Sequence, residues 1–157
     1  MKHAHSKKIY FKILVDIIMT IIFVCLTKIK ITGMHMHEVL GIFVTLLVIV
    51  HLALNFSWVK NITLKIFDKN LNNKIRRMYI INAILAVLVF IVFVSGILVS
   101  VTIFTNISTV NRAVWAIIHR KAALLMFILI IAHALLNIKM IKSHCKRICN
   151  LKNNINT

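Results

Sequence analysis

Long apolar segments alternate along the chain with short segments rich in lysine and arginine. Three stretches are uncharged: 21 residues between Glu38 and Lys60, 34 between Arg77 and Arg112, and 17 between Lys121 and Lys139. Nearer the N-terminus, the 15 residues between Lys12 and Lys28 are interrupted only by Asp16. A helix needs about 20 mostly apolar residues to cross a bilayer, and lysines at its ends are tolerated. The pattern therefore predicts four transmembrane helices, at roughly 9–28, 36–57, 78–101 and 114–138.

Composition agrees with a membrane protein. The 157 residues are 61% hydrophobic with a mean hydropathy of +0.93, and they include no proline and three acidic side chains. A soluble domain is typically about half apolar. No long segment remains for a soluble domain, so we expect residues 1–157 to form one all-α membrane domain, a four-helix bundle running up-down-up-down. The first apolar run is long and lacks a small-residue cleavage site, which indicates a retained helix and not a secretory signal.

The net charge of +17 raises the question of nucleic-acid binding, but the basic residues are distributed as in a membrane protein. Fifteen of the 20 lie on one side of the predicted bundle: four before the first span, six between the second and third, and five after the fourth. The positive-inside rule then predicts that both termini are cytoplasmic. The surplus charge also favours contact with anionic lipid headgroups and gives no reason to expect a nucleic-acid partner.

Two predicted helices carry histidines at the same spacing. His37 and His51 are separated by thirteen residues, as are His119 and His133. Fourteen steps of about 100° come to within about 40° of four full turns, so both histidines of a helix share a face, roughly 21 Å apart along its axis. The two helices run in the same direction, so the four side chains form two levels. We call His37 and His119 the outer pair, and His51 and His133 the inner pair.

Two histidines at one level, repeated across a membrane, predict two b-type haems, each with two axial imidazoles from facing helices. Small residues one turn after the first histidines, Gly41 and Ala123, fit a flat macrocycle lying close to the backbone. The alternative is a set of isolated polar residues satisfied by neighbouring helices. An intramembrane histidine is costly enough to indicate function, and a matched double pair is hard to obtain by chance.

The remaining polar groups have weaker assignments. His35 points about 200° away from His37 and is a ligand only if the helix begins later. The tail residues His3, His5 and His144 are expected at the surface. Asp16 has three possible roles: proton uptake, a hydrogen bond to a partner, or pairing with a lysine. Glu38 has two: it could orient a ligand histidine, or it could occupy a position near the helix N-terminus that the helix dipole favours. We prefer the second role for Glu38.

The cysteines indicate neither a disulfide scaffold nor covalent haem attachment. Cys145 and Cys149 are three residues apart with no histidine following, so the signature of c-type haem attachment is missing. We interpret them, together with Cys25, as incidental thiols.

The similarity between the two histidine helices continues beyond the histidines. The segments HLALNFSWVK at 51–60 and HALLNIKMIK at 133–142 share His, Leu, Asn and Lys at matched positions, with a constant offset of 82. The odd-numbered helices do not share this offset, because Asp16 aligns with Leu98. Both an internal repeat and convergence on one function explain the match.

The two histidine helices carry matching motifs: HEVLG followed by H-x₃-N, and WAIIHR followed by H-x₃-N. These motifs resemble those of the flavinylation-associated cytochromes. Members of that family are small four-helix, di-haem b-type membrane proteins, similar to ferric-reductase-like and cytochrome b domains. The resemblance covers nearly the whole chain. It implies haem ligation by His37, His51, His119 and His133, electron transfer across the membrane and an extracytoplasmic flavoprotein partner. The family often has tryptophan where Val39 stands and near Phe56, and these departures leave the ligand pattern intact.

We therefore expect a cytochrome that relays electrons across a bacterial inner or plasma membrane, from a cytoplasmic-side or quinol donor to an outer-face acceptor. It would be the electron-transfer subunit of an oxidoreductase system, because the sequence shows no flavin or nicotinamide domain and no catalytic side chains. A histidine-based metal-ion transporter is the second hypothesis, although ligands about 21 Å apart cannot converge on one ion. A non-catalytic membrane anchor is the third.

Overall fold

The protein is an all-helical bundle in the computed structural model, which describes the backbone of residues 2–107 and 110–153 and the side chains of 9–107 and 110–143. The four helices are α1 (Lys2–Leu26), α2 (Ile29–Thr63), α3 (Asn73–Val99) and α4 (Arg112–Asn153). Each contains a segment long and apolar enough to cross a membrane. The predicted fold class, a four-helix membrane bundle, is confirmed.

Consecutive helices are antiparallel, as hydrogen bonds between their side chains show. In the first hairpin, Lys12 contacts Asn55 while Asp16 contacts His51, so the pairing runs in opposite directions along α1 and α2. In the last hairpin, His133 contacts Asn82 near the start of α3, and His119 contacts residues near its end. The extensive backbone contacts join α1 to α2, α2 to α3 and α3 to α4. Helices α2 and α4 are consequently parallel, as predicted.

Most helix ends lie beyond the predicted membrane spans, whereas α1 and α3 end two residues short of theirs, at Leu26 and Val99. Helix α2 continues to Thr63 and α3 begins at Asn73, where the Asn72 side chain accepts a hydrogen bond from the Lys74 backbone N–H at 2.8 Å. Hydropathy identifies the residues suited to lipid, whereas helical hydrogen bonding continues through the polar flanks. At the other end of α2, Gly33 interrupts the helix with a φ of 77°, a conformation that glycine adopts without steric cost.

Few large apolar side chains are buried within the described part of the bundle. The buried hydrophobic residues are Ile9, Val15, Ile22, Val44, Leu88 and Met126. Many others face outward, including Phe56, Phe90 and Leu135, which are more than 60% exposed. In a membrane this apolar exterior contacts lipid, and polar groups are expected toward the interior.

Candidate functional site: two histidine pairs

The outer pair brings one imidazole from α2 close to one from α4. The ring centroids of His37 and His119 lie 6.2 Å apart, and the ring planes are inclined at 76°. Bonds from a metal to imidazole nitrogen are about 2 Å long. Two nitrogens bound to one metal ion from opposite sides would therefore lie about 4 Å apart. The centroids of their rings, each about 1 Å further from the metal, would lie about 6 Å apart. The separation suits two axial ligands of one metal ion.

The end of α3 holds the His119 ring in place. Its Nδ1 lies 3.0 Å from the Val92 carbonyl oxygen and 3.2 Å from the Ser95 hydroxyl. A Cβ at Gly96 would meet the ring, 3.2 Å from Cε1 and 3.5 Å from Nδ1. Ser95 is fully buried, and its own hydroxyl donates to the Ile91 carbonyl at 2.6 Å. This closely packed contact explains why small residues occupy positions 95 and 96.

The inner pair is anchored from two different helices. His51 on α2 lies with Nδ1 2.7 Å from the Asp16 carboxylate of α1. His133 on α4 lies with Nδ1 2.6 Å from the Asn82 side-chain oxygen of α3. Each inner histidine is thus held at Nδ1 by a side chain of the neighbouring helix.

The two H-x₃-N motifs fold in the same way. Asn55 donates from Nδ2 to the His51 carbonyl at 2.8 Å, and Asn137 donates to the His133 carbonyl at the same distance. Each amide nitrogen also lies 3.5 Å from Nε2 of its histidine. This second contact is at the long limit of a hydrogen bond, so it restrains the ring only weakly. The matched sequences therefore build matched local geometry.

The partners of Nδ1 determine which nitrogen of each ring is available. A carbonyl or carboxylate oxygen only accepts a hydrogen bond, so Nδ1 of His51, His119 and His133 carries the proton. Their Nε2 atoms then keep a lone pair for a metal. Metal-binding histidines commonly donate the other ring N–H to such an oxygen, which fixes the tautomer and the ring orientation. Three of the four predicted ligands are thus held in a tautomer suited to binding.

His37 differs from the other three. Its Nδ1 is buried and has no hydrogen-bond partner among the described residues. Such atoms are rare in folded proteins and often mark a site for a ligand or ion. His35, two residues earlier on the same helix, is exposed, and α2 extends back past it, so the condition for His35 as an alternative ligand is not met.

The predicted clearance residues lie beside the pairs. A Cβ placed at Gly41, one turn after His37, would meet nothing within 4 Å, so the space there is open. Ala123, one turn after His119, is partly buried. Both positions thus lie on the outer-pair side of the bundle, next to the predicted ligands.

Glu38 bonds to a segment that the sequence did not indicate. Its carboxylate accepts hydrogen bonds from the segment that follows α3, at Ser100, Val101, Thr102 and Ile103. Regular helix resumes only after the break at Gly33, so Glu38 lies about one turn into the part of α2 that carries His37 and His51. Arg112 donates to the Ser100 carbonyl in the same region. Glu38 therefore connects α2 to the loop between α3 and α4.

Asp16 follows one of its predicted alternatives, a hydrogen bond to a partner, and that partner is His51. The predicted surface residues His3, His5 and His144 and the thiols Cys145 and Cys149 lie outside the described side chains. Cys25 is described and is a free thiol.

The α3 residues that hold the α4 histidines were missed. Asn82 and Gly96 are fourteen residues apart, the same spacing as the histidines they contact. An isolated amide and a serine–glycine step within an apolar helix, at that spacing, could have indicated them. Comparisons with protein families, with curated proteins and with solved structures give no match for this chain.

Proposed function

We propose that the chain is a di-haem b-type membrane cytochrome that relays electrons across the bilayer. His37 and His119 would hold one haem, and His51 and His133 the other. The observation that carries the proposal is the 6.2 Å separation of the outer rings, together with the buried, unpartnered Nδ1 beside them. When bound, haem iron supplies one-electron oxidation and reduction, while the protein supplies ligands, orientation and an apolar surround.

The chain's own residues support this chemistry at both levels. The oxygens of Asp16, Asn82 and Val92 orient three of the imidazoles through Nδ1. The open space at Gly41 supports the proposed clearance for a macrocycle near the outer pair. The two levels, roughly 21 Å apart along the helix axes, would divide the path across the membrane into shorter steps.

The donor and acceptor follow from the family resemblance. We propose an extracytoplasmic flavoprotein or another outer-face acceptor, and a cytoplasmic-side or quinol donor, at a bacterial inner or plasma membrane. The chain would then be one subunit of an oxidoreductase system.

The site gives less support to the other two functions. A metal-ion transporter needs several ligands around one ion, and the described residues contain no group of three or more His, Cys, Asp or Glu side chains able to hold one. A membrane anchor without a redox role does not explain the matched histidine spacing or the hydrogen bonds at Nδ1.

Electron transfer across a membrane tests the proposed function. The purified protein is reconstituted into liposomes that contain ferricyanide, and dithionite is added outside. Each electron given up by dithionite reduces one ferricyanide, so bleaching of the entrapped dye reports the transfer rate. We expect bleaching to be at least tenfold faster than in protein-free liposomes, and to be lost in His51→Ala and in His119→Ala, because each variant removes one level.

His35→Ala is the matched control, since that exposed histidine belongs to neither pair and its loss should leave the rate unchanged. Haem-loaded protein that bleaches the dye no faster than empty liposomes contradicts the proposal. So does a rate that survives both ligand variants.

A further inference from the structure

The four proposed ligands have chemically different partners at Nδ1. His51 faces a carboxylate at 2.7 Å, and His133 faces a neutral amide oxygen at 2.6 Å. His119 faces a backbone carbonyl at 3.0 Å, and His37 Nδ1 has no partner among the described residues. The inner pair therefore has two short anchors, one of them from an acidic residue, whereas the outer pair has one longer, neutral anchor.

This difference affects how strongly each level would hold an electron. A carboxylate that accepts the Nδ1 proton makes the imidazole a stronger electron donor to a metal, and such partners tune the metal's potential. Stronger donation and nearby negative charge both stabilise the ferric state over the ferrous state. A neutral carbonyl does so less, and an unpartnered nitrogen does not do so at all.

We propose that Asp16 is a positioning residue that acts through His51 to lower the reduction potential of the inner level below that of the outer level. This inference rests on the proposed function and deepens it. An electron at the inner level is then higher in energy, so transfer from the inner pair to the outer pair is favourable. The structure thereby assigns a preferred direction, toward the end of the bundle that carries the α3–α4 loop.

Two charged neighbours act against this effect. Glu38 follows His37 and places a negative charge near the outer level, although its oxygens accept hydrogen bonds from residues 100–103 and not from a ring nitrogen. The other is on α1. Lys12 lies one turn before Asp16 on α1 and donates from Nζ to the Asn55 side-chain oxygen at 2.8 Å. Its positive charge favours the ferrous state. The carboxylate of α1, however, is bonded directly to the ligand ring, whereas the Lys12 ammonium is bonded to Asn55, which donates to the His51 backbone carbonyl. We therefore expect the carboxylate to decide the sign.

A redox titration followed by haem absorbance tests the inference. In a His119→Ala background, only the inner level is expected to hold haem, so its potential is read alone. At the potential where that haem is half reduced, Asp16→Asn should raise the ferrous-to-ferric ratio about tenfold, which corresponds to about 59 mV for a one-electron couple. Asp68→Asn is the matched control, because it makes the same change in the loop between α2 and α3, and it should alter the ratio less than twofold.

Asn82→Asp provides an independent variant with the opposite sign. It places a carboxylate against the second inner ligand and should lower the ratio by a similar factor. If Asp16→Asn fails to retain haem, the Asn82→Asp titration decides the question. An unchanged or raised ratio in that variant overturns the inference, as does an Asp16→Asn shift no larger than that of the control.

The wild-type titration separates the two proposals. Two resolved potentials, with the lower one belonging to the inner level, support both. Haem bound at both levels with equal potentials overturns the role of Asp16 and leaves the proposed function standing. Protein that binds no haem overturns the proposed function and this inference with it.

Discussion

A buried ring nitrogen without a partner costs stability, and His37 Nδ1 is such an atom. The other three histidines show the opposite arrangement, with Nδ1 held against an oxygen and Nε2 left to bind. At the scale of single residues, three imidazoles therefore present Nε2 as the proposed ligation requires, and the local cost at His37 agrees with the proposed bound group.

Gly41 gives a residue-scale prediction. A Cβ there would meet nothing within 4 Å, so the haem-free fold should tolerate a leucine, with a gain of less than about 1 kcal/mol from helix propensity. Because that space is the proposed clearance for the outer haem, Gly41→Leu should reduce occupancy of the outer level to less than half. Haem content and thermal unfolding measure the two effects.

The control for this substitution is Ala53→Leu, at an exposed position of the same helix, which should leave haem content unchanged. Full occupancy of the outer level in Gly41→Leu would show that the open space serves another purpose.

Residue patterns predicted the ligand candidates but not their supports. The fourteen-residue spacing places two histidines on one face of each helix because helical geometry is fixed by the backbone. The partners of Glu38 were not predicted because they belong to residues 100–103, more than 60 positions away in sequence. Contacts between distant helices depend on how the bundle packs, and periodicity carries no such information.

Helix α3 acts as the support for α4. Asn82 contacts His133 near one end, and the Val92–Gly96 segment contacts His119 near the other. The segment that follows α3 is fastened to α2 through Glu38. The position of α4 relative to α2, and hence the spacing of the outer pair, depends on these two attachments.

Glu38→Ala should loosen the segment after α3. The variant removes the acceptor for the backbone N–H groups of Val101 and Ile103, which lie 2.9 Å from the carboxylate. A hydrogen bond to a charged group contributes about 1.5–3 kcal/mol, so amide exchange at these positions should accelerate about tenfold or more. Hydrogen-exchange mass spectrometry of the 100–107 region measures it.

Exchange in the loop between α2 and α3 serves as the internal reference, since Glu38 makes no contact there among its described hydrogen bonds. Unchanged exchange at residues 100–107 would contradict the proposed attachment.

At the element scale, the existence of all four helices was predictable, whereas their ends were not. Long uncharged runs require helices in lipid, where every backbone group must be satisfied within its own segment. The extension of α2 to Thr63 and the cap of α3 at Asn72 lie in polar sequence, where water removes that requirement.

For the whole molecule, the distribution of basic residues predicts a sidedness that the bundle itself leaves open. The start of α1, the α2–α3 loop and the end of α4 share one end of the bundle, and most lysines and arginines lie there. We predict that this end is cytoplasmic.

Single cysteines at two exposed loop positions test the sidedness. In a background with the three native cysteines replaced by serine, Thr105→Cys should react with a membrane-impermeant maleimide in intact cells, and Asn70→Cys should react only after the cells are opened. The reverse pattern would invert the predicted topology and the direction of electron transfer.

The central claim, two haems held by two histidine pairs, is tested most directly by counting haem. The amount of b-type haem per chain is measured from the dithionite-reduced minus oxidised spectrum of the purified protein. We predict two per chain in the wild type and one in each of His37→Ala and His133→Ala, with the loss in different spectral components. A wild-type protein that contains no haem when haem supply is adequate, or that keeps two haems in both variants, would contradict the account.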